Sequence, residues 1–191
     1  LKNPVVPAKI QSVDVSTYGG GINSVAFSNG VVAIAVDDDT LTNPGRVVFL
    51  DINGALLSSV TVGSLPDHVN FTADGSTLLV ANEGEPSSDY TIDPEGTVSV
   101  IDMTPGAANL TQANVTQIGF ADFNDDIDAL RAAGVRIYGV NATVATDLEP
   151  EYITAAADGK TAWVTLQEAN AVGVIDLENK VVTAIVPLGQ K

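Results

Sequence analysis

Pro66-Asp67-His68-Val69-Asn70-Phe71-Thr72-Ala73-Asp74-Gly75-Ser76-Thr77-Leu78-Leu79-Val80 aligns without a gap on Pro150-Glu151-Tyr152-Ile153-Thr154-Ala155-Ala156-Ala157-Asp158-Gly159-Lys160-Thr161-Ala162-Trp163-Val164, 84 residues downstream. In each copy a short run rich in β-branched and aromatic residues meets an Asp-Gly pair, and a second such run follows. β-Branched side chains suit a pleated, half-buried surface, and Asp-Gly supplies the positive φ that a tight hairpin needs. Both copies continue into a Val-rich strand that closes on Ile-Asp, Val98–Asp102 and Val172–Asp176. A weaker copy lies upstream: Val25-Ala26-Phe27-Ser28-Asn29-Gly30 leads into Val31–Asp37 and then Val47-Val48-Phe49-Leu50-Asp51, with one residue fewer before the turn. A fourth strand follows in two copies, at Leu57–Val62 and Val181–Val186.

Four strands in about 40–45 residues is the repeat of a β-propeller blade. Blade-like repeats are expected over about 22–63, 66–120 (with an insertion at 83–95) and 149–188, in one all-β unit spanning residues 1–191. Residues 104–148 show no further turn signature; they read as one blade carrying insertions, with a degenerate extra blade as the alternative. Asp122–Gly134 breaks the β pattern: acids in its first turn, helix formers in its second half and a stopping glycine predict a short helix near 125–133 inside an insertion at 121–134, capped by Asp or Asn. Ile10–Ser16 is expected to be an outer strand. Propellers close with 4–8 blades, so the chain reads as an incomplete arc whose partner is the remainder of the propeller, on the same or a second polypeptide. A small closed four-blade ring is the weaker alternative.

The 191 residues include 24 acids against 8 lysines and arginines, a formal charge of −16, and no cysteine. Disulfides, thiolate metal sites and cysteine nucleophiles are therefore excluded. So negative a surface repels phosphate backbones and disfavours nucleic acid; it favours hard cations such as calcium. No apolar run approaches the ~20 residues that span a membrane. The start at Leu1 reads as a processed or trimmed form.

Acids cluster at the ends of blade strands. Asn82-Glu83-Gly84-Glu85-Pro86, with Asp89, Asp93 and Glu95 behind it, follows a strand, where propellers place binding residues. Glu149-Pro150-Glu151 precedes the matching strand, and Asp67 occupies the Glu151 position in its repeat. Acids at the same point of successive blades are expected to converge on the central channel and to raise one another's pKa. The candidate metal ligands are therefore Asp67, Glu83, Glu85, Glu149 and Glu151, with calcium as the ion and no organic cofactor. Asp37-Asp38-Asp39 reads as a solvated acidic loop. Asp122–Asp128 fails the EF-hand pattern, with Ile127 where glycine is needed and Ala133 where glutamate is needed. The one histidine, His68, aligns with Tyr152 and reads as an ordinary blade position, and Trp163, aligned with Leu79, reads as blade core. No Gly-x-Ser-x-Gly elbow exists, and no catalytic residue stands out.

Leu65-Pro66-Asp67-His68-Val69, Asn82-Glu83-Gly84-Glu85-Pro86, Asp89–Gly96, Ala132–Ile137 and Asp147-Leu148-Glu149-Pro150-Glu151-Tyr152-Ile153 resemble the choice-of-anchor I domain family. That resemblance implies a secreted, periplasmic or surface-attached bacterial propeller, similar to the animal mesenchyme-specific cell-surface glycoprotein, with domains longer than this chain. It implies a surface or matrix partner. Members often carry an alkaline-phosphatase-like label, which leaves three readings: a non-catalytic, calcium-associated binding protein, a metal-dependent phosphoesterase in the full-length protein, or a structural matrix or coat component. A fold alone does not decide between them.

Overall fold

The computed structural model describes residues 5, 6, 9 and 11–189. It forms three four-stranded antiparallel sheets, each a simple meander. The first contains β1 (Ile22–Ser28), β2 (Val31–Val36), β3 (Pro44–Asp51) and β4 (Leu56–Ser64). The second contains β5 (Pro66–Phe71), β6 (Thr77–Asn82), β7 (Thr97–Asp102) and β8 (Val115–Gly119). The third contains β9 (Pro150–Ala155), β10 (Thr161–Leu166), β11 (Ala171–Asp176) and β12 (Val181–Pro187). The first strands of the blades, β1, β5 and β9, lie side by side as the inner wall. The molecule is an incomplete β-propeller.

The turn chemistry explains the one-residue difference between the repeats. In the first blade Asn29 and Gly30 both take positive φ, 50° and 83°, so Ser28 pairs directly with Val31 in a two-residue hairpin. In the other two blades only the glycine of Asp-Gly is left-handed, Gly75 at 74° and Gly159 at 69°. The loop is longer there and closes through Thr72 N–H to Thr77 O and Ala156 N–H to Thr161 O. Asp74 fastens its loop by accepting from Ser76 N, Ser76 Oγ and Thr72 Oγ1, which pulls its pKa down to about 2. The repeated strand-end aspartates also shape turns: Asp51 accepts from Asn53 N and Ala55 N, Asp102 from Thr104 N, and Asp176 from Glu178 N and Asn179 N.

Two cores join the blades. Ala33, Val47, Phe49, Leu78, Val80 and Ile101 fill the space between the first and second. Leu79, Val98, Val100, Ile153 and Val164 fill that between the second and third, where Phe120, Ile137, Val144 and Leu148 join them. Ala121–Asp126 is a 3-10 turn that runs into α1 (Ile127–Ala133), stopped by Gly134 at φ 103°. A second short helix, α2 (Val144–Asp147), is capped by Thr143 Oγ1 accepting from Thr146 N. Asp126 stands at the cap position of α1 as expected, but its side chain makes no cap hydrogen bond, because the 3-10 turn already leads into the helix; Asn124 Oδ1 accepts from Ala145 N and ties α2 down.

Three further expectations fail. Residues 11–15 form no strand and 16–18 form a 3-10 turn, while Ile10 lies outside the described residues. This segment packs on the outer face of the first blade, where Val15 is buried among Ile34, Val36, Val48 and Leu50. Trp163 keeps the register of Leu79 but is 40% exposed, whereas Leu79 is fully buried. Leu79 has the third blade against it; Trp163 points off the far face of that blade, which no described sheet covers. Asp37 is 5% exposed rather than solvated, paired with Asn23 Nδ2 at 2.8 Å.

Candidate functional site

The starts of β5 and β9 place Asp67 and Glu151 at one end of the inner wall. Asn23 holds the matching place on β1, and its amide donates to Asp37 Oδ1 (2.8 Å) and Pro66 O (3.3 Å). Glu83 reaches the same end from β6. Buried Asn82 secures that strand end by donating to Ser99 Oγ (3.0 Å). Beyond it, Glu83 N donates to Leu65 O (2.8 Å) and Gly84 N to Ser64 O (3.2 Å), so Glu83 is fixed against the crossover between the first two blades. Gly84 is left-handed at φ 73°, and a Cβ there would lie 2.8 Å from Glu95 O, so only glycine fits this bend.

The resulting field is one-signed. Burial, then the charges of Glu85, Asp67, Glu151 and Glu149, push the Glu83 carboxyl up to about 8. Burial, Glu168, Glu85, Asp147 and Asp93 push Glu149 up to about 7. Glu151 also rises to about 7, through burial and a hydrogen bond with Glu168 that only a protonated carboxyl can make. Asp67 and Asp37 are raised too, mainly by burial. Among the described residues the one ion pair is Arg131–Asp128 on α1, so no basic side chain pairs with these acids. Nor, among the described residues, do three acid or histidine side chains stand close enough together to hold one ion as placed.

Asp67, Glu83, Glu85, Glu149 and Glu151 therefore share one electrostatic neighbourhood but not one preformed coordination shell. Of the other acids, Asp93 stays within the field of Glu149, while two shape turns instead. Asp89 is a turn residue, accepting from Ser87 Oγ and from Thr91 N and Oγ1, which lowers its pKa. Asp38 serves likewise, for Thr40 N and Asn43 Nδ2. Glu168 was missed by the sequence reading, although the 84-residue offset sets Gln167-Glu168 opposite Glu83-Gly84. His68 uses Nδ1 to accept from Ile153 N across the blade boundary (3.2 Å), with its ring 4.6 Å from that of Tyr152. Burial lowers its pKa.

A sequence profile of the choice-of-anchor I domain matches residues 1–191. The chain belongs to the choice-of-anchor I domain family. No curated protein matches this member. Solved structures share its fold. Kuenenia stuttgartiensis hydrazine synthase aligns with TM-score 0.54 and 14% identity over 86% of this chain and 48% of its own. The β-propeller domain of Myceliophteria thermophila Cps50 (Swd1) aligns with TM-score 0.55 and 8% identity over 89% and 44%. A functionally unknown protein from Desulfotomaculum acetoxidans aligns with TM-score 0.54 and 14% identity over 88% and 43%. This choice-of-anchor I chain thus spans less than half the length of these three chains.

Proposed function

We propose that this β-propeller surface protein is a non-catalytic binding module, secreted or displayed outside the cytoplasm, that takes calcium at the acidic mouth of its inner wall. The observation that carries this reading is the crowding of Glu83, Glu149 and Glu151, whose carboxyls are pushed to about 8, 7 and 7 with no basic partner among the described residues. A hard divalent cation relieves that repulsion and suits oxygen ligands. Because the donors are not preassembled, side chains must swing to meet the ion. The expected affinity is that of extracellular calcium modules, a Kd on the order of 10⁻⁴–10⁻³ M. Family membership supports the surface setting.

The partner closest to hand is the rest of the propeller. Tyr152, Trp163 and Val186 leave the far face of the third blade apolar and exposed, and Val25 and Phe27 do so on β1; stacked blades bury such faces.

Isothermal titration of the purified protein with calcium at pH 8 tests the site. Binding is expected in the wild type and at least about tenfold weaker binding in Glu83→Gln/Glu151→Gln, on the ligand-charge dependence of such sites. Absence of binding in the wild type, or equal binding in the variant, would overturn the assignment.

A further inference from the structure

Beside the acidic mouth, two insertions face each other across an open cleft of about 800 Å³, within the size range of ligand pockets. One wall is the loop between β6 and β7, the other the segment between α1 and α2. Each carries a tyrosine that the fold leaves in solvent, Tyr90 at 79% and Tyr138 at 70% exposure. Carboxylates of Glu85, Asp93, Glu149 and Glu168 line the space between them.

The tyrosines are held out by local structure. Tyr90 sits at the tip of a tight loop closed by Ser87 N to Ile92 O (2.8 Å), Ile92 N to Ser87 Oγ (3.0 Å) and Tyr90 N to Ser87 O (2.7 Å). It occupies a positive φ of 55°, an unusual cost for an aromatic residue. Opposite, Tyr138 N and Gly139 N both donate to the Asp147 carboxylate, at 2.6 and 2.9 Å. A Cβ on Gly139 would collide with that carboxylate. Asp147 is thereby committed to its wall, while the other four acids make no hydrogen bond to either wall's backbone.

Two exposed tyrosines on the walls of one cleft, with carboxyl groups and no compensating lysine or arginine in its lining, match a planar organic cation. We propose that this cleft binds the guanidinium of an arginine in a basic segment of a partner protein. The fork of the guanidinium meets carboxylates bidentately while its plane stacks on tyrosine, and the charge of −16 draws a basic partner in. The cleft borrows Glu85 and Glu149 from the calcium reading but not Glu83, which does not line it, so the two readings fail separately.

The test is titration calorimetry at physiological salt with a Gly/Ser peptide carrying four arginines. The same peptide with citrulline, and the same with lysine, serve as probes of charge and of shape. The arginine peptide is expected to bind at least about tenfold more tightly than the citrulline peptide and measurably more tightly than the lysine peptide. Tyr90→Ala/Tyr138→Ala removes two exposed side chains, so its circular dichroism is expected to match the wild type. It is expected to weaken the arginine peptide about tenfold and leave calcium binding unchanged. Glu83→Gln is expected to weaken calcium and spare the peptide. Citrulline or lysine peptides binding as well as arginine, or an unchanged affinity in the tyrosine double variant, would overturn the proposal.

Discussion

Replacing Glu83 by glutamine should stabilise the protein at alkaline pH, against the usual direction of substitutions at half-buried positions. The unfolded carboxyl titrates near 4.5, the folded one near 8. Between those values the folded state holds a proton that the unfolded state has released, so native stability falls as pH rises through the window. The penalty is absent below about pH 4.5 and complete above about 8. Carried over in full, the shift corresponds to about 5 kcal/mol at 1.36 kcal/mol per unit. Glu83 is only half-buried, and solvent screening reduces this to roughly 1–2 kcal/mol. Glutamine is nearly isosteric with the protonated acid and never ionises. Scanning calorimetry in EDTA should therefore show Glu83→Gln melting about 2–8 °C above the wild type at pH 8.5 and within about a degree of it at pH 4.5. Calcium at ten times its Kd should raise the wild type by about 1.4 kcal/mol and close the gap. A variant less stable than the wild type at pH 8.5, or one with the same offset at both pH values, would refute the electrostatic account of the mouth.

Two further substitutions probe the frame. His68→Ala removes the acceptor for Ile153 N and the contact with Tyr152, and urea titration should show a loss of about 1–3 kcal/mol at neutral pH. Because burial lowers the pKa of His68, its stabilisation is complete above the unfolded value of 6.5 and declines below it, so the difference from wild type should shrink in acid. Gly96→Ala drives a Cβ onto the Leu148 carbonyl at the joint between the second blade and the segment leading to β9. With Gly96 N also bonded to Ala145 O (3.0 Å), the backbone has nowhere to retreat, and a loss of at least about 2 kcal/mol is expected by the same urea assay.

The blades were legible because their signals are local: hairpin glycines, alternating Val and Ile, and strand-end aspartates that form their turns within four residues. The helix at 127–133 was legible from its residues and Gly134, but its lack of a cap hydrogen bond was not, since Asn124 had a better partner 21 residues away in Ala145. The acidic mouth was half legible. Repeat alignment brought Asp67 and Glu151 together, whereas the place of Glu83 depends on how its backbone docks on Leu65, and Glu168 lies in a loop with no acidic neighbour to draw the eye. Two of the errors share one cause. Trp163 and residues 11–16 were read from strand pattern alone, and whether a strand face is core depends on what stacks against it, which periodicity does not contain.

That dependence also bears on the exposed face of the third blade. At the inner wall, each blade is stitched to the next by one side chain of its first strand accepting from the backbone of the following first strand. Ser24 Oγ takes Val69 N (3.2 Å), and His68 Nδ1 takes Ile153 N (3.2 Å). Tyr152 occupies the same position on β9, but its only polar atom lies at the far end of the ring, and the neighbouring His68 ring rests against it. A blade stacked on this face therefore cannot be stitched in the same way. Burial of Tyr152, Trp163 and Val186 must supply what the hydrogen bond supplies at the first two joints, and at ~25 cal/mol per Å² an aromatic pair is the residue choice that does so. A blade docked on this face would be held by apolar area rather than by backbone pairing, and truncating Trp163 would weaken that contact more than any polar change at the rim.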